Sequence, residues 1–334
     1  MSTGRATALW RLSRPALLPY VLALPLVGLG WAHWDRALSF GGRAELGSLM
    51  ALLVAWWLLH AGTLWLNAAL DRDDGAVLMG RAAPVTSGTA AAGYVALVLS
   101  VVVGALAGPI ATFAVGACAV LAVLYSHPST AWKGHPVGGP FTNLVGYGLL
   151  SPMAGWSIAG VDPNPRTLVV WVLGACGVVG TYFAAQAFQQ EEDAARGYRT
   201  LVVTHGPRKT IFAARLGIGV GFAGAFGLAV AGWLPQVLVV APLLWWPVEH
   251  WLRRWSAVEG GGGPRWAEGM TVRLLLAAVV GLALVSADYV RGSVVGLPVA
   301  GLGTVAGLPS DRPALPPHQL ELWEARRALE TEGG

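Results

Sequence analysis

The sequence predicts an all-α fold: a polytopic membrane bundle of about nine helices around a central cavity that opens to the cytoplasm. Composition gives the first reason. Of the residues, 55% are hydrophobic and only 12% charged, with a mean hydropathy of +0.57, whereas soluble domains carry about 25% charged residues. The second reason is length: the apolar runs reach roughly 17–25 residues, enough to cross a hydrocarbon core. The third is the content of 16 Trp, a residue that gathers at membrane interfaces and in large apolar cavities. Both cysteines, Cys118 and Cys176, fall inside apolar runs, so buried inert thiols are expected and a disulfide framework is not.

Nine spans follow in order. The first, about Ala16–Ala32, is preceded by Arg5, Arg11 and Arg14; no small-residue cleavage pattern follows it, so it reads as a retained anchor. The second runs about Leu46–Leu66 and ends in Asn67-Ala68-Ala69-Leu70-Asp71-Arg72-Asp73-Asp74. The third and fourth, about Ala92–Leu106 and Ile110–Tyr125, are joined by the Ala107-Gly108-Pro109 turn. The fifth covers about Val137–Ala159. The sixth, about Leu168–Phe188, ends in Gln189-Gln190-Glu191-Glu192-Asp193. The seventh and eighth lie near Ile211–Ala231 and Val237–Leu252, and a glycine-rich linker, Gly260–Gly263, precedes the ninth, about Val272–Val290. These spans make one membrane domain, residues 1–295. Residues 296–334 are Gly- and Pro-rich, then mixed in charge, and read as a flexible tail.

Charge sets the orientation. With nine spans, the N-terminus and the loops after spans two, four, six and eight share one face, and these regions with their flanking turns hold 15 of the 22 Lys and Arg. The positive-inside bias makes that face cytoplasmic and the protein an integral component of the cell (inner) membrane. Both acidic clusters then open to the cytosol, each at the end of the second helix of a four-span half, which makes a weak internal repeat plausible.

Carboxylates at such a depth are costly and usually face a cavity or a bound cation. If the second helix continues, Asn67, Asp71 and Asp74 fall at i, i+4 and i+7 on one face. Hard oxygen ligands select Mg²⁺, commonly held by one or two carboxylates together with substrate phosphates. Arg72, Arg81, Lys133, Arg196 and Arg199 surround the same mouth and suit phosphate oxygens. Beneath it an apolar, Trp-rich bundle offers room for a hydrocarbon. An isoprenyl diphosphate fits both halves: metal and cations stabilise the departing diphosphate, and a dry cavity with aromatic faces suits the allylic cation. Tyr125, Tyr147, Trp156 and Tyr182 are candidates to line it, and Asn143 in the fifth span leans toward it. His60 either lines the cavity or is hydrogen-bonded for structure. Nothing suggests nucleic-acid or haem binding, and no glycine-rich phosphate motif occurs.

From Arg14-Pro15 to the ninth span, the chain resembles the UbiA superfamily of intramembrane prenyltransferases, which has nine helices and two aspartate-rich motifs, after the second and the sixth. The first motif reads Asn-Asp-x-x-Asp-x-x-x-Asp; here Asn67 and Asp71 match, Ala68 replaces the first Asp, Gly75 stands at the last, and Asp74 lies one position early. The second reads Asp-x-x-x-Asp, then Gly and Thr-Leu; Asp193, Gly197, Thr200, Leu201 and Gly206 match, Gln189 replaces the leading Asp, and Glu192 stands in position to supply its charge. Leu124-Tyr125-Ser126-His127-Pro128 with Lys133, and Arg81 with Pro84, Ser87 and Gly88, resemble the family's two connecting segments. The altered motifs look like a divergent branch. The resemblance implies catalytic roles for Asn67, Asp71, Asp74, Gln189, Glu192 and Asp193, metal binding by Asp71, Asp74, Glu192 and Asp193, and Mg²⁺ as cofactor. It implies substrate contacts by Arg72, Arg81, Tyr125, Lys133, Asn143, Arg196 and Arg199. The expected partners are an isoprenyl diphosphate donor, a hydrophobic aromatic or lipid acceptor, and the bilayer. Three classes stay open: a prenyltransferase, a terpene cyclase that closes the same donor on itself, and a transporter. The acidic groups at helix ends, not at mid-membrane, argue against the last.

Overall fold

The computed structural model describes residues 2–36, 38, 43–71 and 83–295. Arg72, Asp73, Asp74, Arg81 and the tail 296–334 lie outside the described residues. The described chain is helical and contains no strand. Its helices are α1 (Ser2–Leu12), α2 (Leu18–Asp35), α3 (Arg43–Asp71), α4 (Thr89–Gly104), α5 (Pro109–Ser126), α6 (Gly138–Asn143), α7 (Ser151–Ile158), α8 (Pro165–Gln186), α9 (Gln190–Ala195), α10 (Leu201–Val230), α11 (Ala241–Ser256) and α12 (Pro264–Val295). Among the described residues, seven segments are long and apolar enough to cross a membrane. The fifth and eighth expected spans are composite: α6 and α7 flank a π-helical turn, Leu144–Leu150, and a 3₁₀ turn, Gln236–Val240, leads into α11.

Two of the boundaries differ from the sequence expectation for identifiable reasons. The first expected span corresponds to α2, and a further helix, α1, precedes it across a break where Arg14 takes a left-handed backbone (φ 47°, ψ 65°) ahead of Pro15, Ala16 and Leu17. Proline fixes its own φ and biases the residue before it away from the helical region, so the chain turns there. The seventh span begins earlier, at Leu201, because a first turn joins it through a kink at Gly206 (φ 81°) and Pro207. A positive φ of this size is nearly free for glycine alone.

Lipid does not drive helices together as water does, so close backbone approach matters. Each half of the bundle is centred on one tight pair. α3 meets α4 where Gly62 faces Gly93, and α8 meets α10 where Gly180 faces Gly217. The helix that ends in each polar cluster is thus paired with the next span in both halves. One core cluster joins α2–α5 with α7 and the π turn; another joins α8 and α10–α12. At the end of the bundle away from the polar clusters, Trp31, Trp156 and Trp171 stack edge to face, with centroids 5.1–6.4 Å apart. Trp156 therefore belongs to this plug and not to the cavity wall. Its indole donates to Val161 O at 2.8 Å.

Gly155 on α7 is the sharpest test of the close approaches, since a Cβ there would lie 1.7 Å from the Pro25 carbonyl oxygen of α2. Gly155→Ala is expected to destabilise the protein by about 1–3 kcal/mol through overpacking. Gly116→Ala on α5, with nothing within 4 Å of the new Cβ, is expected to be neutral or to stabilise by roughly 0.5–1 kcal/mol. Thermal unfolding of the two variants in one detergent checks the contrast.

Candidate active site

The polar ends of α3 and α8–α9 meet at the mouth of one cavity of about 260 Å³ between the two halves. α3 continues past the apolar run as far as Asp71, so Asn67 and Asp71 do share a face. The Lys133 ammonium recognises both: it donates to Asn67 Oδ1 at 3.0 Å and forms an ion pair with Asp71. Ser126, the last residue of α5, adds a donor to Asn67 Oδ1 at 3.3 Å. The ion pair is buried, with 8% and 7% of the two side chains exposed. Lys133 reaches it from a short 3₁₀ turn, Trp132–Gly134, and His135 Nδ1 accepts the Val137 and Gly138 N–H groups just beyond, at the start of α6.

The second arm is built from α9 and the turn after it. Glu192 pairs with Arg196 one turn on, at 2.8 Å. Asp193 is buried and accepts the Thr200 hydroxyl at Oδ2, 2.7 Å. Thr200 is the N-cap residue of α10, yet its side chain does not cap that helix; it serves the carboxylate instead. Gly197, at φ 72°, turns the chain so that Tyr198 N–H donates to Asp193 O at 2.9 Å and Arg199 N–H donates to Gly134 O at 2.8 Å. That last bond ties the two arms together. The Tyr198 ring covers Gly134 so closely that a Cβ there would lie 2.4 Å from it.

Below the mouth the wall is apolar and aromatic, with Trp56, Leu59, Tyr125, Tyr147 and Tyr182 among its members. Gln186 donates to the Tyr182 hydroxyl at 2.7 Å. The π turn shapes this wall. Its wide coil leaves the Gly146 carbonyl to accept from the Ser151 hydroxyl at 2.9 Å and, weakly, from the Cys118 thiol, while Asn143, Gly146 and Tyr147 face the cavity. Such turns are frequent at functional sites.

The structure thus brings Asn67, Asp71, Tyr125, Lys133, Asn143, Gln189, Glu192, Asp193 and Arg196 to one cavity. Asn143 keeps its amide occupied, donating to Gly139 O at 3.0 Å. Arg199 is exposed and outside the cavity wall, because its backbone, not its side chain, makes the link between the arms. Asp74, Arg72 and Arg81 lie outside the described residues. Polar wall residues outside the sequence-derived site include Arg14, which joins the rim from the break between α1 and α2, and Gln186; His60, for which a cavity and a structural role both stood open, lines the wall and bonds to Ser13 O. The Arg14-Pro15 dipeptide was the available signal for the first.

Among the described residues no three acidic, His or Cys side chains converge as a metal-binding group; Asp71, Glu192 and Asp193 are each bound to a protein cation or hydroxyl. The donor chemistry nevertheless fits Mg²⁺. Burial pushes the Asp193 carboxyl above the usual carboxylate range; Thr200 and Arg196 oppose the shift, while the charges of Glu192 and Asp71 add to it. Mutual repulsion among three carboxylates is what an inserted cation relieves.

These features define a class first: a polytopic helical membrane protein with a cluster of acidic and basic side chains capping an apolar cavity. The chain belongs to the UbiA prenyltransferase family, whose model matches residues 23–259. A UbiA homologue from Archaeoglobus fulgidus, bound to GPP and Mg²⁺, superposes with a TM-score of 0.60 at 17% identity, over 84% of this chain and 99% of that one. A homologue from Aeropyrum pernix K1 gives 0.58 at 16% identity, over 80% and 97%. A structure of digeranylgeranylglyceryl phosphate synthase gives 0.54 at 13%, over 83% and 98%. No curated protein sequence matches the chain.

The raised Asp193 carboxyl has a consequence for stability. Folding favours its protonated form, so this group's contribution is full below the unfolded pKa of about 3.9 and is lost as pH rises through the folded value. At neutral pH the ionised side chain costs stability. Asp193→Asn, which keeps an acceptor for Thr200, is expected to raise the unfolding midpoint by a few degrees at pH 7. The gain should shrink toward zero as the pH falls to 4, as read by thermal unfolding across that range.

Proposed function

We propose that this chain is an integral membrane prenyltransferase that moves an isoprenyl group from an isoprenyl diphosphate to a hydrophobic aromatic or lipid acceptor, with residues 1–295 as the transferase unit. One observation carries the reading: two arms of mixed charge face each other across a mouth directly above an apolar, aromatic cavity. A polar head and a hydrocarbon tail in one molecule would satisfy both. The solved relatives support the donor class, since the Archaeoglobus homologue was determined with GPP and with DMAPP, each with Mg²⁺.

Asp71, Glu192 and Asp193, with the amide oxygens of Asn67 and Gln189, would hold the Mg²⁺ cofactor; Asp74, Arg72 and Arg81 are proposed to join the same mouth. Bound Mg²⁺ supplies positive charge that offsets the diphosphate. Lys133, Arg14 and Arg196 bring protein cations to the same oxygens, where a charge developing on the leaving group is stabilised without reorganisation. The allylic C–O bond breaks with its electron pair passing to the diphosphate. The acceptor then forms the new bond to the allylic carbon and releases a proton. Tyr125, Tyr147 and Tyr182 would offer π faces to the cation, and the apolar lining around them disfavours water there. The proposed orientation places this mouth and the N-terminus on the cytoplasmic side, following the distribution of Lys and Arg.

The test is a reconstituted assay with radiolabelled geranyl, farnesyl and geranylgeranyl diphosphates, with Mg²⁺ or EDTA, and with or without a lipid or aromatic extract. Product that depends on Mg²⁺ and extract is expected, and Asp71→Asn or Asp193→Asn should lower turnover by at least about a hundredfold. Unchanged turnover in either folded variant would overturn the proposed site. A cyclic hydrocarbon formed without extract would assign the chain to the terpene cyclases instead.

A further inference from the structure

The cavity ends at a definite depth, and the same depth appears on each helix that runs down its wall. α3 contributes wall residues from Asp71 down to Trp56, α5 from Tyr125 down to Cys118, and the fifth span from Thr142 down to Ser151; α2 adds Val21. Beyond these limits the helices pack against one another. Leu52, Ala55, Ala114, Val115 and Ala154 are all 0% exposed, and they share one core cluster with Val21, Trp56 and Cys118. Trp56 belongs to the wall yet is only 1% exposed, so the lumen stops against it and does not pass it. At the foot of α5, Cys118 Sγ lies 3.8 Å from the Gly146 carbonyl oxygen, in van der Waals contact, so α5 and the fifth span touch at that level.

Helix geometry gives the length of the lumen. Ser126 is hydrogen-bonded to Asn67, so these two residues mark one level, at the charged mouth. From that level to Trp56 is eleven residues down α3, and to Cys118 eight residues down α5, a depth of about 12–16 Å. An extended isoprene unit adds four chain carbons, about 5 Å. A geranyl tail of about 10 Å therefore ends short of the floor, a farnesyl tail of about 15 Å reaches it, and a geranylgeranyl tail of about 20 Å overruns it.

We propose that Trp56, with the narrow level at Cys118 and Gly146, sets the upper length of the donor's hydrocarbon tail at three isoprene units, about 15 Å. This limit rests on the prenyltransferase reading, which puts the diphosphate among the charged groups of the mouth. The effect is steric. Trp56 meets the last carbons of the tail, and no bond is made or broken there.

The experiment is titration calorimetry on the full chain in nanodiscs, with Mg²⁺ and with empty discs as reference. The probes are the S-thiolodiphosphate analogues of geranyl, farnesyl and geranylgeranyl diphosphate, whose tails match the donors but ionise far more slowly. The wild-type protein is expected to bind the first two within about threefold of each other and the third at least about tenfold more weakly. Trp56→Leu shortens the floor residue, and the geranylgeranyl probe should gain about tenfold relative to the geranyl probe. Gly146→Val works in the opposite direction. A Cβ at Gly146 meets only Cys118 Sγ and Leu121 Cδ1, both at 3.9 Å, so the new side chain finds room in the wall while narrowing the lumen above the floor. It should cost the farnesyl probe about tenfold relative to the geranyl probe. Ratios of probes within one variant cancel any general loss of affinity, and thermal unfolding confirms that each variant is folded. Either variant suffices if the other fails to fold.

Wild-type binding of the geranylgeranyl probe as tight as that of the geranyl probe overturns the proposal, since the tail would then leave the cavity sideways into the bilayer. Unchanged ratios in the folded variants overturn it too, by placing the limit elsewhere. If no probe binds, the prenyltransferase reading falls and the length limit with it. If the ratios are as expected but the reconstituted assay yields no product, the transferase reading falls and the length limit stands.

Discussion

The bridge from Lys133 to Asp71 and Asn67 is the contact on which the rest of the site depends. Its ammonium and carboxylate are both nearly inaccessible, and a buried charge without its partner is strongly destabilising. The pair therefore fixes where the loop after α5 can lie. Once that loop is fixed, Gly134 is placed to accept from Arg199 N–H and to sit under the Tyr198 ring. The second acidic arm is thereby held at a set distance from the first. The ion pair and that backbone bond together join three segments far apart in sequence, and the mouth of the cavity is the space they leave.

The depth of the cavity has a separate cause. Glycine pairs bring α3 against α4 and α8 against α10, so each half is tight within itself. The fifth span, between the halves, is not a uniform helix. Its π turn contains Gly146 and Gly148, and a Cβ on Gly148 would lie 2.5 Å from that of Ala175, so this span leans on α8 while its wider coil turns Tyr147 toward the cavity. An ideal α-helix of the same length would rotate the residues beyond the turn to other faces. Close packing on one side and an open wall on the other come from the same seven residues.

Much of this could be read in the sequence, because it follows from period and polarity. Asn67 and Asp71 are four residues apart at the end of an uncharged run, and that spacing alone puts them on one face. Glu192 and Asp193 were legible as an acidic cluster closing an apolar helix, and Arg196 as a cation in the loop that follows. The mouth's third participant, Lys133, was legible only as a cation in the right loop; its contact with Asp71 depends on tertiary placement. What resisted reading were irregularities. Nothing in the apolar run Val137–Ala159 announces a π turn, and aromatic content alone could not separate Tyr147, which lines the cavity, from Trp156, which packs on Trp31 and Trp171. Arg199 looked equivalent to Arg196 by charge, and only the turn at Gly197 sends its side chain away. Arg14 reached the rim because the chain turns at Arg14-Pro15 between α1 and α2, a local effect visible in sequence but without a stated destination.

His60 shows how one side chain can serve both the fold and the cavity. Its Nε2 proton is committed to Ser13 O, at the turn that presents Arg14 to the rim. That commitment determines the tautomer, and the tautomer determines what the other nitrogen can do. The ring thus braces the break between α1 and α2 that brings Arg14 to the rim, from a position two turns below the charged mouth.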